Sequence, residues 1–128
     1  MPGQHLFEYA VVRIVPKVER EEFLNVGIVL YCAGPKFLQV MFEPDMERLK
    51  AFSDKLDVAE VNEYLCAFEQ ICKGTPQGGP IAKLPMPERF RWLTATRSTI
   101  VQTSKVHPGL CDDPADMLGR LYTQMVLP

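Results

Sequence analysis

The stretch EYAVVRIVPKVEREEFLNVGIVLYCAGPKFLQVMF, residues 8–42, decides the fold of this chain. Residues 8–15 are rich in β-branched side chains and stop at a proline, which is typical of a strand. Residues 26–32 and 37–42 have the same character, and the turn-forming residues 33–36 separate them. Because so short a connection permits only antiparallel pairing, this stretch predicts an antiparallel scaffold of three strands.

Both faces of the first predicted strand are mostly apolar, so we expect it to be a central strand that is covered on both sides. Arg13 is the exception. An unpaired buried charge is very unfavourable, so its guanidinium must reach solvent or a carboxylate. Glu19, Glu21 and Glu22 in the next connector are the predicted partners, and a structural ion pair is the preferred interpretation over a catalytic role.

Helices follow these strands. Pro44 and Asp45 open a short predicted helix, with apolar residues on a single stripe. Asp57 caps a longer one, which ends at Gly74 because Pro76 prevents its continuation. The apolar positions of this longer helix recur at helical spacing: Val58, Val61, Leu65, Phe68 and Cys72.

The last third of the chain alternates between loop, strand and helix. Residues 74–87 are rich in proline and glycine and predict a loop, and residues 88–94 predict a helical turn. Residues 97–106 predict a fourth strand with polar residues on both faces, which is typical of an edge strand or of one that lines a groove. Asp113 and Pro114 start a C-terminal helix. Its inward-facing residues are predicted to be Leu118, Leu121, Tyr122 and Met125.

The predicted elements follow the order β-β-β-α-α-β-α, which defines an α+β domain with helices packed on an antiparallel sheet of about four strands. A length of 128 residues is typical of one domain, so residues 1–128 are predicted to form a single domain. Apolar and charged fractions of 47% and 23% are ordinary for globular proteins and argue against disorder. The edge-like fourth strand makes a homodimer a candidate assembly.

The sequence predicts a cytoplasmic protein without a membrane segment. Its N-terminus has neither the basic nor the apolar region of a signal peptide, and its apolar stretches are far shorter than the about 20 residues that span a bilayer. The cysteine spacings match no zinc or redox motif, so we predict no metal and no cofactor. Reduced thiols in or near the core are expected for Cys32, Cys66, Cys72 and Cys111.

Three local patterns contain residue types that occur in catalytic or ligand sites. The glycine-rich loop 74–79 lacks the Lys-Ser or Lys-Thr pair of a phosphate-binding loop, because Pro80 follows its last glycine. The run HPGLCDD, residues 107–113, contains metal-ligand types, but its proline and glycine break their alignment and its aspartates suit a helix N-terminus. His107 is the only internal histidine, and no nucleophile motif accompanies it.

The charge distribution is more informative than these motifs. Residues 83–105 contain five basic residues against one acidic residue, a local charge of +4 in a chain whose net charge is −2. Arginine forks, aromatic faces and hydroxyls can hold a phosphate or stack on a base. In the alternative interpretation, Phe90 and Trp92 are core anchors and the arginines pair with acidic residues elsewhere. The candidate ligand-binding residues are Arg89, Arg91, Trp92, Arg97, Ser98 and His107.

Two runs carry a family resemblance: FEYAVVRIVPKVEREEFLNVGIVLYC, residues 7–32, and GGPIAKLPMPERFRWLTATRSTIVQTSKVHPGLC, residues 78–111. Together they resemble the bacterial domain-of-unknown-function 3037 family, from Tyr9 to the C-terminal helix. The resemblance implies a small stand-alone bacterial protein with no agreed activity, cofactor or catalytic residues. It also implies neighbouring genes for kinases similar to the HipA toxin, and hence an accessory or regulatory role through protein contact.

Two functional hypotheses follow. The preferred one is a non-enzymatic accessory or binding module, which contacts a partner protein or a phosphate-bearing ligand through residues 83–107. The alternative is a small enzyme acting on a phosphorylated or nucleotide substrate, with Arg91, Arg97 and His107 as electrostatic and acid–base groups. Convergence of these three residues in one pocket would favour the enzyme, whereas an apolar surface would favour a protein interface.

Overall fold

The computed structural model describes residues 4–17, 22–42, 46–53, 56–97 and 99–127. The strands among these residues are β1 (His5–Ile14), β2 (Leu24–Cys32), β3 (Phe37–Phe42), β4 (Val101–Thr103) and β5 (His107–Cys111). The helices are α1 (Met46–Phe52), α2 (Val58–Lys73), α3 (Met86–Leu93) and α4 (Pro114–Met125). The α+β class is therefore confirmed, and the antiparallel sheet has five strands where about four were predicted.

β1 is the central strand of the sheet. It pairs with β2 on one side, and β2 pairs in turn with β3, all antiparallel. On its other side it pairs with β5 through residues 5–9 and with β4 through residues 12–14. β4 and β5 therefore lie end to end along β1 and form one interrupted edge strand.

Ser104 lies at this interruption. Its backbone N–H donates to the Val11 carbonyl at 2.8 Å, and its hydroxyl oxygen accepts from the Val11 N–H, also at 2.8 Å. The same hydroxyl donates to the Lys105 carbonyl at 2.9 Å. The Ser104 hydroxyl therefore accepts the hydrogen bond that a backbone carbonyl would accept in a regular strand pair. Pairing with β1 can then stop after β4 and resume at β5.

Helices cover both faces of the sheet, as the apolar faces of β1 predicted. Ala10, Val12 and Ile14 belong to a core cluster with residues of α1, α2 and α3. Phe7 and Val11, on the opposite face, belong to a second cluster with residues of α4. The molecule thus has a core on each side of its central strand.

The signals that predicted the ends of α2 are confirmed. The carboxylate of Asp57 accepts from the Glu60 N–H at 3.2 Å, which satisfies one of the free donors at the helix start. Gly74 adopts the left-handed conformation with φ of 73°, and its N–H bonds the carbonyls of Gln70 and Ile71.

Other predictions need correction. The fourth strand was predicted over residues 97–106, but only Val101–Thr103 pair. β5 was not predicted because Pro108 and Gly109 resemble a turn; an edge strand tolerates the proline. At Gly109 a Cβ would lie 2.5 Å from Cζ of Phe7, so the ring packs where a side chain would be.

The boundaries of the later helices also differ from the prediction. The loop predicted for residues 74–87 contains two 3-10 turns, Pro76–Gly78 and Pro80–Lys83, and α3 already begins at Met86. Met125 was expected to face inward but is exposed, while the other three predicted residues of α4 are buried. Pro44 and Asp45, the predicted start of α1, lie outside the described residues.

The cysteines follow the prediction in part. Cys32, Cys72 and Cys111 are buried thiols, and Cys66 is exposed on another face of α2. Within the described ranges, no group of three metal-ligating side chains occurs. None of the helices described combines the length and apolar character that crossing a bilayer requires.

Candidate functional site

A groove with a volume of about 290 Å³ lies between α2, the end of α3 and the edge strand β4. Its floor is apolar and buried, and its sides contain two half-exposed aromatic rings and one guanidinium. The floor consists of Phe68, Ile71, Leu93 and Val101; the sides present Tyr64, Trp92 and Arg97; β4 and its approach add Thr99, Gln102 and Thr103.

Tyr64 and Trp92 form the two aromatic walls. Their exposed fractions are 42% and 39%, which is high for rings of this size. Phe90 and Leu93 direct one side of α3 into the core, at 3% and 1% exposure. Trp92 lies between them in sequence, so the helical rotation of about 100° per residue turns it toward the groove. The alternative that made both Phe90 and Trp92 core anchors therefore holds for Phe90 alone.

Arg97 lies against the Trp92 wall. Its guanidinium carbon is 3.8 Å from the centre of the indole ring, and its Nη2 donates to the Trp92 carbonyl. A cation in this position over tryptophan contributes about 0.5–1 kcal/mol when exposed. Burial lowers the pKa of Arg97, but a guanidinium starts so high that it stays charged. Arg97 is the one charged side chain among the described residues that line the groove.

Arg89 has a structural position instead. Its Nη1 donates to the Leu84 carbonyl at 3.2 Å, and a Cβ placed on Gly74 would lie 2.7 Å from the same nitrogen. The cation therefore lies beside the carbonyl end of α2, where the helix dipole favours positive charge. Arg89 joins α3 to α2 and does not line the groove.

The other predicted site residues do not join this groove. Arg91 is exposed on α3 and is not part of the lining. His107 pairs with Tyr9 across β1 and β5, with ring centres 5.4 Å apart, and Tyr9 packs on the α4 side of the sheet. Paired residues share a face, so His107 points away from the groove. Ser98 lies outside the described residues.

Arg13 has an aromatic partner that the sequence analysis missed. Its guanidinium carbon lies 4.0 Å from the centre of the Phe23 ring, and burial lowers its pKa. Its buried Nε has no hydrogen-bond partner among the described residues. Glu19 and Glu21 lie outside those residues, so the ion pair with the connector stays a prediction.

The described lining of the groove contains no carboxylate, imidazole or thiol, and its hydroxyls belong to Tyr64, Thr99 and Thr103. It offers apolar surface, two aromatic rings and one cation. Tyr64 was not among the predicted site residues, although an aromatic side chain outside the apolar stripe of α2 is a signal that the sequence contains.

The comparisons with known proteins give a family and nothing finer. No curated protein and no solved structure matches this chain. One family model matches residues 9–126, which is nearly the whole chain, and its description is "Protein of unknown function (DUF3037)". The resemblance drawn from the two sequence runs is thereby confirmed, and this chain belongs to the DUF3037 family.

Proposed function

We propose that this protein is a non-enzymatic binding module that contacts a partner protein through the groove between α2, α3 and β4. One observation carries the proposal: Tyr64, Trp92 and Arg97 line the same apolar groove. Tyrosine, tryptophan and arginine are the residue types most enriched among side chains that dominate protein–protein binding energy. An apolar floor beneath them would let a partner side chain be fully desolvated.

The size of the groove favours one anchoring side chain over a larger ligand. Its volume of about 290 Å³ lies at the lower limit of pockets that hold small molecules, which run from about 300 to 1,000 Å³. A phosphate group is usually held by several charge-assisted hydrogen bonds. Among the described residues, the lining supplies a single cation, Arg97, and one of its donors already bonds the Trp92 carbonyl.

The enzyme hypothesis has less support. It required Arg91, Arg97 and His107 to converge, and only Arg97 lines the groove. A phosphate-bearing ligand at Arg97 stays as the second candidate, because an arginine at the rim of an aromatic groove also suits an anion.

A kinase similar to the HipA toxin is the first partner to test, since the family resemblance implies such a neighbour. The basic segment 83–105 would favour an acidic surface on that partner and accelerate its encounter at low salt.

The test uses the purified kinase encoded beside a gene of this family and measures its affinity by calorimetry. Replacing a central aromatic anchor usually weakens binding by 2 kcal/mol or more, so Trp92→Ala should raise Kd by about 30-fold. Met41→Ala is the matched control: Met41 is 36% exposed, but it lies on β3, at the opposite edge of the sheet. Its Kd should stay within about twofold of the wild type.

Equal binding by wild type and a folded Trp92→Ala variant would refute the groove as the contact. A parallel thermal-shift series with inorganic phosphate and ATP tests the second candidate. Two results together would favour a phosphate-bearing ligand over a protein partner. The first is a rise in Tm with phosphate or ATP that Arg97→Ala abolishes, and the second is a kinase Kd that Trp92→Ala does not change.

A further inference from the structure

The groove reaches over the outer edge of β4. Val101, Gln102 and Thr103 all line it, although successive side chains of a strand point to opposite faces of the sheet. A cavity that contacted only one face would include alternate residues. Contact with three consecutive residues therefore indicates that the groove runs along the outer edge of β4.

Every second residue of this segment bonds inward to β1. The Val15 N–H donates to the Ile100 carbonyl at 2.7 Å, and the Ser104 N–H donates to the Val11 carbonyl at 2.8 Å. Antiparallel ladders alternate between residues that bond to one neighbour and residues that face the other side. Gln102 therefore also bonds inward, opposite Arg13.

The intervening residues, Val101 and Thr103, direct their backbone groups away from β1. The Val101 carbonyl accepts from the Thr99 hydroxyl at 2.7 Å. The Val101 N–H and both backbone groups of Thr103 remain for another strand, since β1 is the one strand that pairs with β4 in the described part of the chain. β5 differs, because Pro108 has no N–H to offer.

We propose that β4 and the groove together bind an extended acidic segment of a partner protein by strand addition. The segment pairs with Val101 and Thr103, places a large aromatic or aliphatic side chain between Tyr64 and Trp92, and brings a neighbouring carboxylate to Arg97. This inference rests on the proposed function and specifies its binding mode. Backbone bonds supply affinity in such complexes, and pockets for alternate side chains supply specificity.

Charge selects the acidic segment over a second copy of this chain. Pairing two β4 edges about a two-fold axis would bring together two segments that each have a charge of +4. Like charges that face each other across an interface oppose association, whereas carboxylates on an added strand complement Arg97. Because β4 has only three residues, its backbone bonds need the groove anchor to give measurable affinity.

The ligand-side test uses the peptide acetyl-Thr-Glu-Val-Phe-Val-Glu-Thr-amide and its N-methylated series, with the protein unchanged. N-methylation removes one amide donor at a time. Strand addition predicts two sensitive amides, two residues apart: the one that donates to the Thr103 carbonyl and the one opposite Val101, where a methyl group would block the approach of the strands. Methylation of either should raise Kd by about tenfold or more, and methylation of the other amides by less than about twofold. Replacing Phe with Ala, or both Glu with Lys, should weaken binding to a similar extent.

The protein-side test compares Thr103→Pro with Thr103→Val. Both remove the hydroxyl, but only proline removes the outward N–H, and an edge strand tolerates proline in that position. Thr103→Pro should raise the Kd of the peptide by about tenfold more than Thr103→Val does, because only proline removes the N–H. Circular dichroism and unfolding midpoints establish that both variants are folded.

Several results would overturn strand addition while leaving the proposed function intact. One is a Kd of the peptide that rises with Trp92→Ala but changes neither with N-methylation of the peptide nor with Thr103→Pro. Another is the absence of peptide binding at about 1 mM while Trp92→Ala still impairs kinase binding. A dimer in sedimentation equilibrium that Thr103→Pro dissociates would show that a second copy is the occupant. A different outcome would refute only the kinase as the partner: the peptide Kd depends on the two amides as predicted, but the kinase Kd does not change with Trp92→Ala.

Discussion

Ser104 illustrates how much one buried hydroxyl can determine. Its buried hydroxyl replaces a backbone carbonyl at the junction of β4 and β5 and accepts from the Val11 N–H. A buried donor left without a partner costs about 1–3 kcal/mol, more than the net value of the hydrogen bond itself. The hydroxyl is therefore more important for stability than its size indicates.

Ser104→Ala is predicted to lower the free energy of unfolding by about 1–3 kcal/mol, because the Val11 N–H loses its acceptor. Urea unfolding measures the change, and amide exchange at Val11 should become faster. Thr123→Ala is the control, since the exposed Thr123 hydroxyl bonds the Gly119 carbonyl at 3.0 Å and should contribute within about 0.5 kcal/mol. Similar small effects for both variants would refute the role assigned to Ser104.

Residue-level sequence reasoning identified Trp92 and Arg97 through composition, and they do meet in one groove. Whether they bind a ligand stays a prediction. Composition did not distinguish Phe90 from Trp92, because which side of a short helix is buried depends on how the helix docks. Nor did it separate Arg89, which joins two helices, from Arg97, which lines the groove.

At the scale of elements, sequence signals predicted the bounds of a helix or strand correctly where those bounds depend on residues of the same segment. The caps of α2 are a clear case, since Asp57 and Gly74 act on their own helix. The edge strand is the opposite case: β-branched content favoured one strand over residues 97–106, but pairing with β1 and the hydroxyl of Ser104 divide it. At β5, Phe7 packs over Gly109, a long-range contact that no local pattern encodes.

Gly119→Ala should stabilise the protein by about 0.5–1 kcal/mol, because alanine reduces the backbone entropy that a helical residue loses on folding. Gly119 is an interior residue of α4, and a Cβ placed there would meet nothing within 4 Å. Thermal unfolding should show a higher Tm.

The matched control is Gly109→Ala, which puts the same methyl group against the buried Phe7 ring and should destabilise by about 1–3 kcal/mol. A lower Tm for Gly119→Ala would contradict the prediction and would mean that this face of α4 is covered in solution.

At the scale of the whole molecule, the apolar residues of β1 predicted that both of its faces are buried, but not which helix packs on which face. The structure puts α1, α2 and α3 against one face and α4 against the other. That partition decides where the groove forms, because α2 and α3 meet beside the free edge of β4 on the same face. Helix assignment to a face depends on loop paths and on mutual packing, which a single sequence does not reveal.

Burial on both faces also fixes the ionisation of the thiols. Burial raises the pKa of Cys72 to about 12, although the nearby Arg89 opposes the shift. Burial likewise raises the pKa of Cys111 to about 11, and Cys32, Asp112 and Asp113 add to the increase. The folded state therefore holds protons that the unfolded chain releases above a thiol pKa of about 8.5. Stability is complete below that pH and decreases as the pH rises toward the folded values.

Comparison of wild type with Cys72→Ala isolates one of these protons. Alanine cannot ionise, so the stability advantage of wild type should shrink by about 1.4 kcal/mol for each pH unit above about 8.5, as measured by urea unfolding. Cys66→Ala is the control for the loss of a thiol, because Cys66 is exposed on the same helix. A pH dependence of the same size for Cys66→Ala would mean that burial is not its cause. A pH-independent difference for Cys72→Ala would mean that the thiolate is accommodated without unfolding, and hence that water reaches the core between α2 and the sheet.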